Sequence, residues 1–164
     1  GFTYGHNSIM QFYPGYGQGA FFVRYPWKDA IHGPAGMSAA AMGRFMQKLF
    51  DQGVRDALAQ GADPAAWIQE NFKPCPDILR GDSRWSQKQR EDRIMAYQAG
   101  TIRLCYTWTG RPICLTIPGP CEAWWMDPVC GALSRIGTVK ASGTYTFAPP
   151  AGDFDHKDWL LVLG

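Results

Sequence analysis

Apolar positions along the chain keep two different rhythms. Between residues 38 and 52, SAAAMGRFMQKLFDQ places Met42, Phe45, Met46 and Leu49 three and four apart, the spacing that lines one face of an α-helix. Ser38 stands where an N-cap would stand. Residues 54–60 carry a second helical stretch that stops at Gly61, and Asp63-Pro64 begins another, with Asp63 as cap and Pro64 at the first helical position. That helix is expected to run to about Asn71. From Arg93 onward the rhythm shortens. The runs RIMAYQA, TIRLCYTW, RPICLTI, EAWWMD, ALSRIGTVK, TYTFAPP and DWLLVLG are β-prone and separated by turn residues, which predicts five to seven strands in an antiparallel sandwich.

Between the two rhythms lies KPCPDILRGDSRWSQKQRED, broken by Pro74, Pro76 and Gly81 and rich in charge, so a domain boundary is expected near Ser86. Residues 14–19, PGYGQG, read as loop. Thr109-Gly110 is expected to close a two-residue hairpin loop, which sets Trp108 opposite Arg111, Tyr106 opposite Ile113 and Cys105 opposite Cys114. Asp127-Pro128 with Gly131 predicts a second turn, between the strand of Trp124 and Trp125 and that of Leu133. Alternation along the former strand sends one tryptophan into the core and the other outward or against a neighbouring domain.

Composition narrows the function classes. A chain of 164 residues that is 46% hydrophobic can fill a core as one medium domain or two small ones. The net charge of +2 supplies no field that argues for nucleic acid or an anionic membrane as partner. Apolar runs such as residues 35–42 fall far short of the roughly 20 needed to span a bilayer. Five cysteines without a CxxC pair and only three histidines argue against a zinc site. Aromatic residues make up 14% of the chain, several of them beside Gly or Pro, a composition suited to flat sugar rings or protein partners. The densest cluster is at the start: Tyr4, His6, Asn7, Gln11 and Tyr13 crowd GFTYGHNSIMQFY, as the side chains of a binding cleft do.

Together these pieces carry a resemblance that covers nearly the whole chain. TYGHNSIMQFY at residues 3–13, PWKDAI at 26–31, GPAG at 33–36 and the helix through RFMQKLF resemble the end of the catalytic barrel of apiosidase-like glycoside hydrolases. AYQAGTIRLCYTWTGRPICLTI, AWWMDPVCGALSRIG and TYTFAPPAGDFDHKDWLLVLG resemble the β-sandwich that follows it, a module often called a collagen-binding domain. The fold this implies is α/β plus all-β. The tail of a (β/α)8 TIM-type barrel with added helices over residues 1–86 precedes an antiparallel β-sandwich over residues 87–164. Departures occur in the turn, where Met126, Val129 and Cys130 replace the residues usual in the family, and in the longer stretch 53–74, read as a surface helical pair.

The resemblance implies a substrate-binding set of Tyr4, His6, Asn7, Gln11 and Trp27, with hydroxyl partners for the imidazole and amides and ring faces from Tyr4 and Trp27. Read from spacing alone, His6 and Asn7 serve equally well as partners for the backbone of an irregular loop, and Trp27 as a core anchor. The two carboxyl groups that glycoside hydrolysis requires belong, in the family, to earlier barrel strands. No catalytic residue is therefore assigned here, and Asp29, Asp51, Asp56, Glu70 and Asp77 read as surface groups. Asp153, Asp155, His156 and Asp158 lack the spacing and turn glycine of a calcium loop. No metal and no cofactor is expected.

The expected function is hydrolysis of glycosidic bonds in a plant or microbial polysaccharide, outside the cytoplasm, by an enzyme of which this chain is a carboxy-terminal part. The expected partners are the carbohydrate substrate and an upstream barrel segment bearing the acids. That segment is also expected to cover the stripe of Met42, Phe45, Met46 and Leu49, which a barrel tail alone leaves bare. The alternative is a non-catalytic module that binds carbohydrate or protein. If Cys105 and Cys114 are joined, an oxidising compartment is favoured.

Overall fold

The computed structural model describes residues 34–85, 93–150 and 158–164, with the side chains of 34, 35 and 85 undescribed. Helix α1 spans Pro34–Ala59 and α2 spans Pro64–Asn71. Then follow β1 at Phe72–Pro74, a 3-10 turn at Pro76–Ile78 and the short helix α3 at Gly81–Trp85. The remaining strands are β2 Met95–Ala99, β3 Ile102–Thr107, β4 Ile113–Ile117, β5 Cys121–Met126, β6 Leu133–Val139, β7 Gly143–Phe147 and β8 Trp159–Leu163. Each of the seven β-prone runs becomes one of these last strands. Six strands form one antiparallel sheet in the order β1-β2-β3-β8-β5-β6, and β4 pairs with β7 in a second sheet.

The two sheets close on a core of alternating side chains. Ala96, Cys105, Ala123, Trp125, Trp159, Leu161 and Leu163 of the large sheet meet Ile113, Leu115, Ile117 and Phe147 of the small one. Trp125 packs edge-on against Trp159, centroids 6.4 Å apart, and its indole N–H donates to the Ala148 carbonyl at 3.1 Å. Strand β4 is buried on one face only, with Cys114 and Thr116 directed outward, the pattern of a sheet wetted on one side. Strand β8 lacks that alternation because Trp159, Leu160 and Leu161 are all buried.

The reason lies on the other face of the large sheet. Phe72, Ala99, Leu104, Met126 and Leu160 form a second core with Leu49 of α1, and Phe45, Met46, Trp67 and Ile68 pack against it from the helices. The expectation that the stripe of α1 finds no cover within this chain is therefore corrected for Phe45, Met46 and Leu49. The sandwich itself covers them.

Two further readings change. Residues 38–52 and 54–59 belong to one helix, and Ser38 is a buried residue inside it rather than its cap. Gly53 does not break the helix, since an interior glycine costs only about 1 kcal/mol. It also clears a path for β1, because a Cβ there would stand 3.0 Å from the Phe72 ring. The helix ends where expected, at Gly61 with φ +67°, with Ala62 N–H donating back to the Ala57 carbonyl at 3.0 Å. Asp63 caps α2 by accepting from Ala66 N–H at 2.9 Å.

The Thr109-Gly110 hairpin does not form. Both edges of β3 are occupied, one by β2 and the other by β8, so β4 crosses to the second sheet. Cys105 and Cys114 consequently lie on different sheets, and all five cysteines are free. The charged connection holds more structure than expected: β1 joins β2, Arg80 N–H donates to the Cys114 carbonyl at 2.8 Å, and Leu79 is fully buried. What the described residues display is mostly antiparallel sheet with few helices, as a β-sandwich requires; a barrel tail is not shown.

Because Leu49 ties α1 to the sheet, Leu49→Ala is expected to lower the stability of helix and sandwich together by about 2 to 5 kcal/mol. Chemical denaturation followed by far-ultraviolet and tryptophan signals checks this. Coincident transitions, both shifted, are expected, whereas loss of helix alone would show that α1 and the sandwich unfold separately.

Candidate functional site

Tyr4, His6, Asn7, Gln11 and Trp27 lie outside the described residues, as does Asp29. Three of the described acids make local surface contacts. Asp51 accepts from Gln47 at 2.8 Å, Asp56 from Gln52 at 2.7 Å, and Asp77 stands 3.5 Å from Arg84. Of the acidic stretch 153–158 only Asp158 is described, and it accepts from the Tyr106 hydroxyl at 3.0 Å. Among the described residues no group of three or more His, Cys, Asp or Glu comes together as metal ligands would.

A polar array does assemble on the β5–β6 ribbon. The turn that joins these strands is the one expected: Gly131 N–H donates to the Asp127 carbonyl at 2.7 Å, Val129 N–H donates to Asp127 Oδ1 at 2.7 Å, and Gly131 takes φ +78°. Beyond the turn Met126 faces Leu133, Trp125 faces Ser134 and Trp124 faces Arg135. Between Trp124 and Ala123 the register shifts, so that Ala123 faces Gly137 and Ile136 is the extra residue. Gly137 adopts φ +149°, a conformation open to glycine.

That bulge decides which side chains meet. Residues 135 and 138 would point to opposite faces of a regular strand, since faces alternate with period two. One inserted residue restores them to the same face. Arg135 thereby donates to Glu122 Oε2 from Nη2 at 2.7 Å and from Nε at 2.8 Å. Arg135 Nη2 also donates to Thr138 Oγ1 at 3.0 Å, and the Thr138 hydroxyl donates to Glu122 Oε1. The hydroxyl and the guanidinium together hold the Glu122 carboxyl below the usual carboxylate range.

Trp124 shares this face, because Glu122 is two residues away on the same strand and Arg135 lies directly across. It is half-buried, whereas Trp125 enters the core, so the tryptophan pair divides as alternation requires. Sequence reasoning singled out the tryptophans and missed Glu122, Arg135 and Thr138. The register set by the Asp127 turn, which brings Arg135 across from Trp124, and the alternation that puts Glu122 on the face of Trp124 would have found the first two.

Three of the five thiols are held in the protonated form by burial. Burial pushes Cys105 far up, and burial is the largest influence raising Cys75 and Cys121 as well. Cys130 is exposed, its thiol 3.2 Å from Asp127 Oδ2.

The described residues thus form an antiparallel β-sandwich with a helix pair on one face of its large sheet and a polar array on one ribbon. Residues 77–164 match the family described as "Putative collagen-binding domain of a collagenase", more than half of the chain, and the chain belongs to that family. Two solved structures are similar to it. One, titled "Glycoside hydrolase", is 26% identical with a TM-score of 0.65, over 96% of this chain and 31% of that one. The other, a glycoside hydrolase family 5 protein from Bacteroides vulgatus, is 25% identical with a TM-score of 0.66, over 96% of this chain and 31% of that one. The chain thus spans about a third of the length of these structures. No curated protein matches the sequence. Among the described residues no helix is long and apolar enough to cross a membrane.

Two outcomes check the array and the thiols. Glu122 has a lowered folded-state pKa, so its contribution to stability is present above the ordinary carboxylate pKa and is lost as pH falls through the lower, folded value. Glu122→Gln is expected to flatten the melting temperature against pH between about 5 and 3 relative to the parent chain, and an unchanged slope would disprove the linkage. A thiol reagent should label Cys130 first in the native protein and Cys105 only after unfolding, and all five in denaturant; fewer than five would reveal a disulfide.

Proposed function

We propose that this chain is the carboxy-terminal part of an apiosidase-like glycoside hydrolase acting on a plant or microbial polysaccharide outside the cytoplasm. The observation that carries this is the likeness of 96% of the chain to glycoside hydrolases three times its length. The catalytic carboxylates arrive with a preceding barrel segment. In this reading residues 1–86 complete the barrel and residues 87–164 form the sandwich behind it. Tyr4, His6, Asn7, Gln11 and Trp27 contact the sugar, the imidazole and amides through hydroxyl hydrogen bonds and the aromatic rings by stacking. No cofactor or metal takes part, since two carboxyl groups suffice for either stereochemical course. The match of residues 77–164 to a collagen-binding-type family favours a second reading, in which the sandwich is a binding module without a part in catalysis.

The complete enzyme separates them. His6→Ala is expected to raise KM or lower kcat on the polysaccharide by about tenfold to a hundredfold, the effect of losing one or two hydrogen bonds to substrate, with an unchanged melting temperature. Parental kinetics in a folded variant would remove His6 from the site, and a complete protein without glycosidase activity would favour the binding module.

A further inference from the structure

Trp124 is a half-buried indole that makes neither a ring contact nor a hydrogen bond among the interactions the structure records. The other tryptophans of the sandwich face differ. Trp125 is anchored in the core by its N–H and by Trp159. A large aromatic surface with a spare N–H donor, held on a rigid strand, is what ligand recognition uses.

Its surroundings select the ligand. Arg135 lies directly across the ribbon and Glu122 two positions along, so by strand geometry their Cβ atoms stand about 5 to 7 Å from that of Trp124 on the same face. Glu122, Arg135 and Thr138 are fixed to one another by hydrogen bonds and remain partly solvent-exposed. One carboxylate and one guanidinium cancel, so the array offers both acceptors and donors without a net field for an ionic ligand. A flat apolar platform beside a charge-neutral rim of mixed donors and acceptors fits a neutral sugar ring. Its C–H face covers the indole and its hydroxyls replace the water on Glu122, Arg135 and Thr138.

We infer that Trp124, Glu122, Arg135 and Thr138 form a carbohydrate-binding platform on the β5–β6 ribbon, specific for neutral polysaccharide. The inference deepens the glycoside hydrolase reading by giving the sandwich a substrate-holding role. It is tested by binding and not by turnover, so the two can fail independently.

The intact protein is run through native gels containing xyloglucan, arabinoxylan or arabinogalactan, with polygalacturonate and gelatin as charged and proteinaceous contrasts. Retardation by at least one neutral polysaccharide is expected. Trp124→Ala should weaken it about tenfold or more, whereas Trp124→Phe, which keeps a stacking ring, should stay within about threefold. Glu122→Gln should weaken it less than Trp124→Ala does. Circular dichroism and the melting temperature confirm that the variants fold, as a half-buried side chain permits. Absence of retardation by every neutral polysaccharide, retardation that survives Trp124→Ala, or retardation by polygalacturonate or gelatin alone would each overturn the assignment.

Discussion

The large sheet is continuous only because β8 occupies its centre. Strands β1, β2 and β3 form one antiparallel run and β5 and β6 another, and Trp159–Leu163 hydrogen-bonds to β3 on one side and β5 on the other. Beyond the strand Gly164 extends the seam, exchanging both backbone hydrogen bonds with Glu122 at 2.7 and 3.0 Å. Without β8, two ribbons would each expose an edge and two half-covered faces, and isolated ribbons of this size are marginal in water. The strand joins residues far apart in sequence, such as Tyr106 and Asp158, so the loop-closure entropy of the sheet is concentrated in one pairing event.

A strand in that position has no wet side. Leu161 and Leu163 point into the core shared with the small sheet, while Leu160 points to the helices with Leu104 and Met126. Each side must be capped, and the caps are unlike: a two-stranded sheet on one side, α1 and α2 on the other. The helical cap is fitted tightly at its ends. A Cβ on Gly131 would stand 3.3 Å from the Ala41 side chain, and one on Gly100, at φ +63° in the turn between β2 and β3, would stand 3.1 Å from the Trp67 ring. Helix α1 therefore spans the sheet from the β5–β6 turn to the region of Phe72, which stacks on Phe50 at 5.2 Å.

Periodicity made most of this legible and pairing did not. The strand runs, the end of α1 at Gly61, the Asp63 cap and the Asp127 turn each depend on residues adjacent in sequence, and each was readable. The hairpin at Thr109-Gly110 was misread because a two-residue turn signal says nothing about whether the flanking strand has a free edge, and β3 has none. Gly53 was misread for a similar reason, since its purpose is space for Phe72, which is distant in sequence. Likewise the Glu122, Arg135 and Thr138 array depends on a bulge at Gly137. A single inserted residue changes face parity, and nothing in the alternation of ALSRIGTVK announces it. The residues assigned to sugar contact came from resemblance alone and fall outside the described residues, so packing neither supports nor opposes them.

The helical cap links these levels. In the proposed reading, α1 follows directly on the stretch that carries Tyr4, His6, Asn7, Gln11 and Trp27. Its inner face is not free to move, because displacing Leu49, Phe45 and Met46 would uncover Leu104, Leu160 and Met126 together. Sites are held to useful tolerance by elements whose own rotamers are locked by packing. A sandwich that buries a helix in this way holds that helix as part of one rigid body. This accounts for a family likeness concentrated in residues 77–164 alongside a structural likeness that extends over 96% of the chain. The family match takes in the sandwich strands, and the structural likeness takes in the helices packed on it as well.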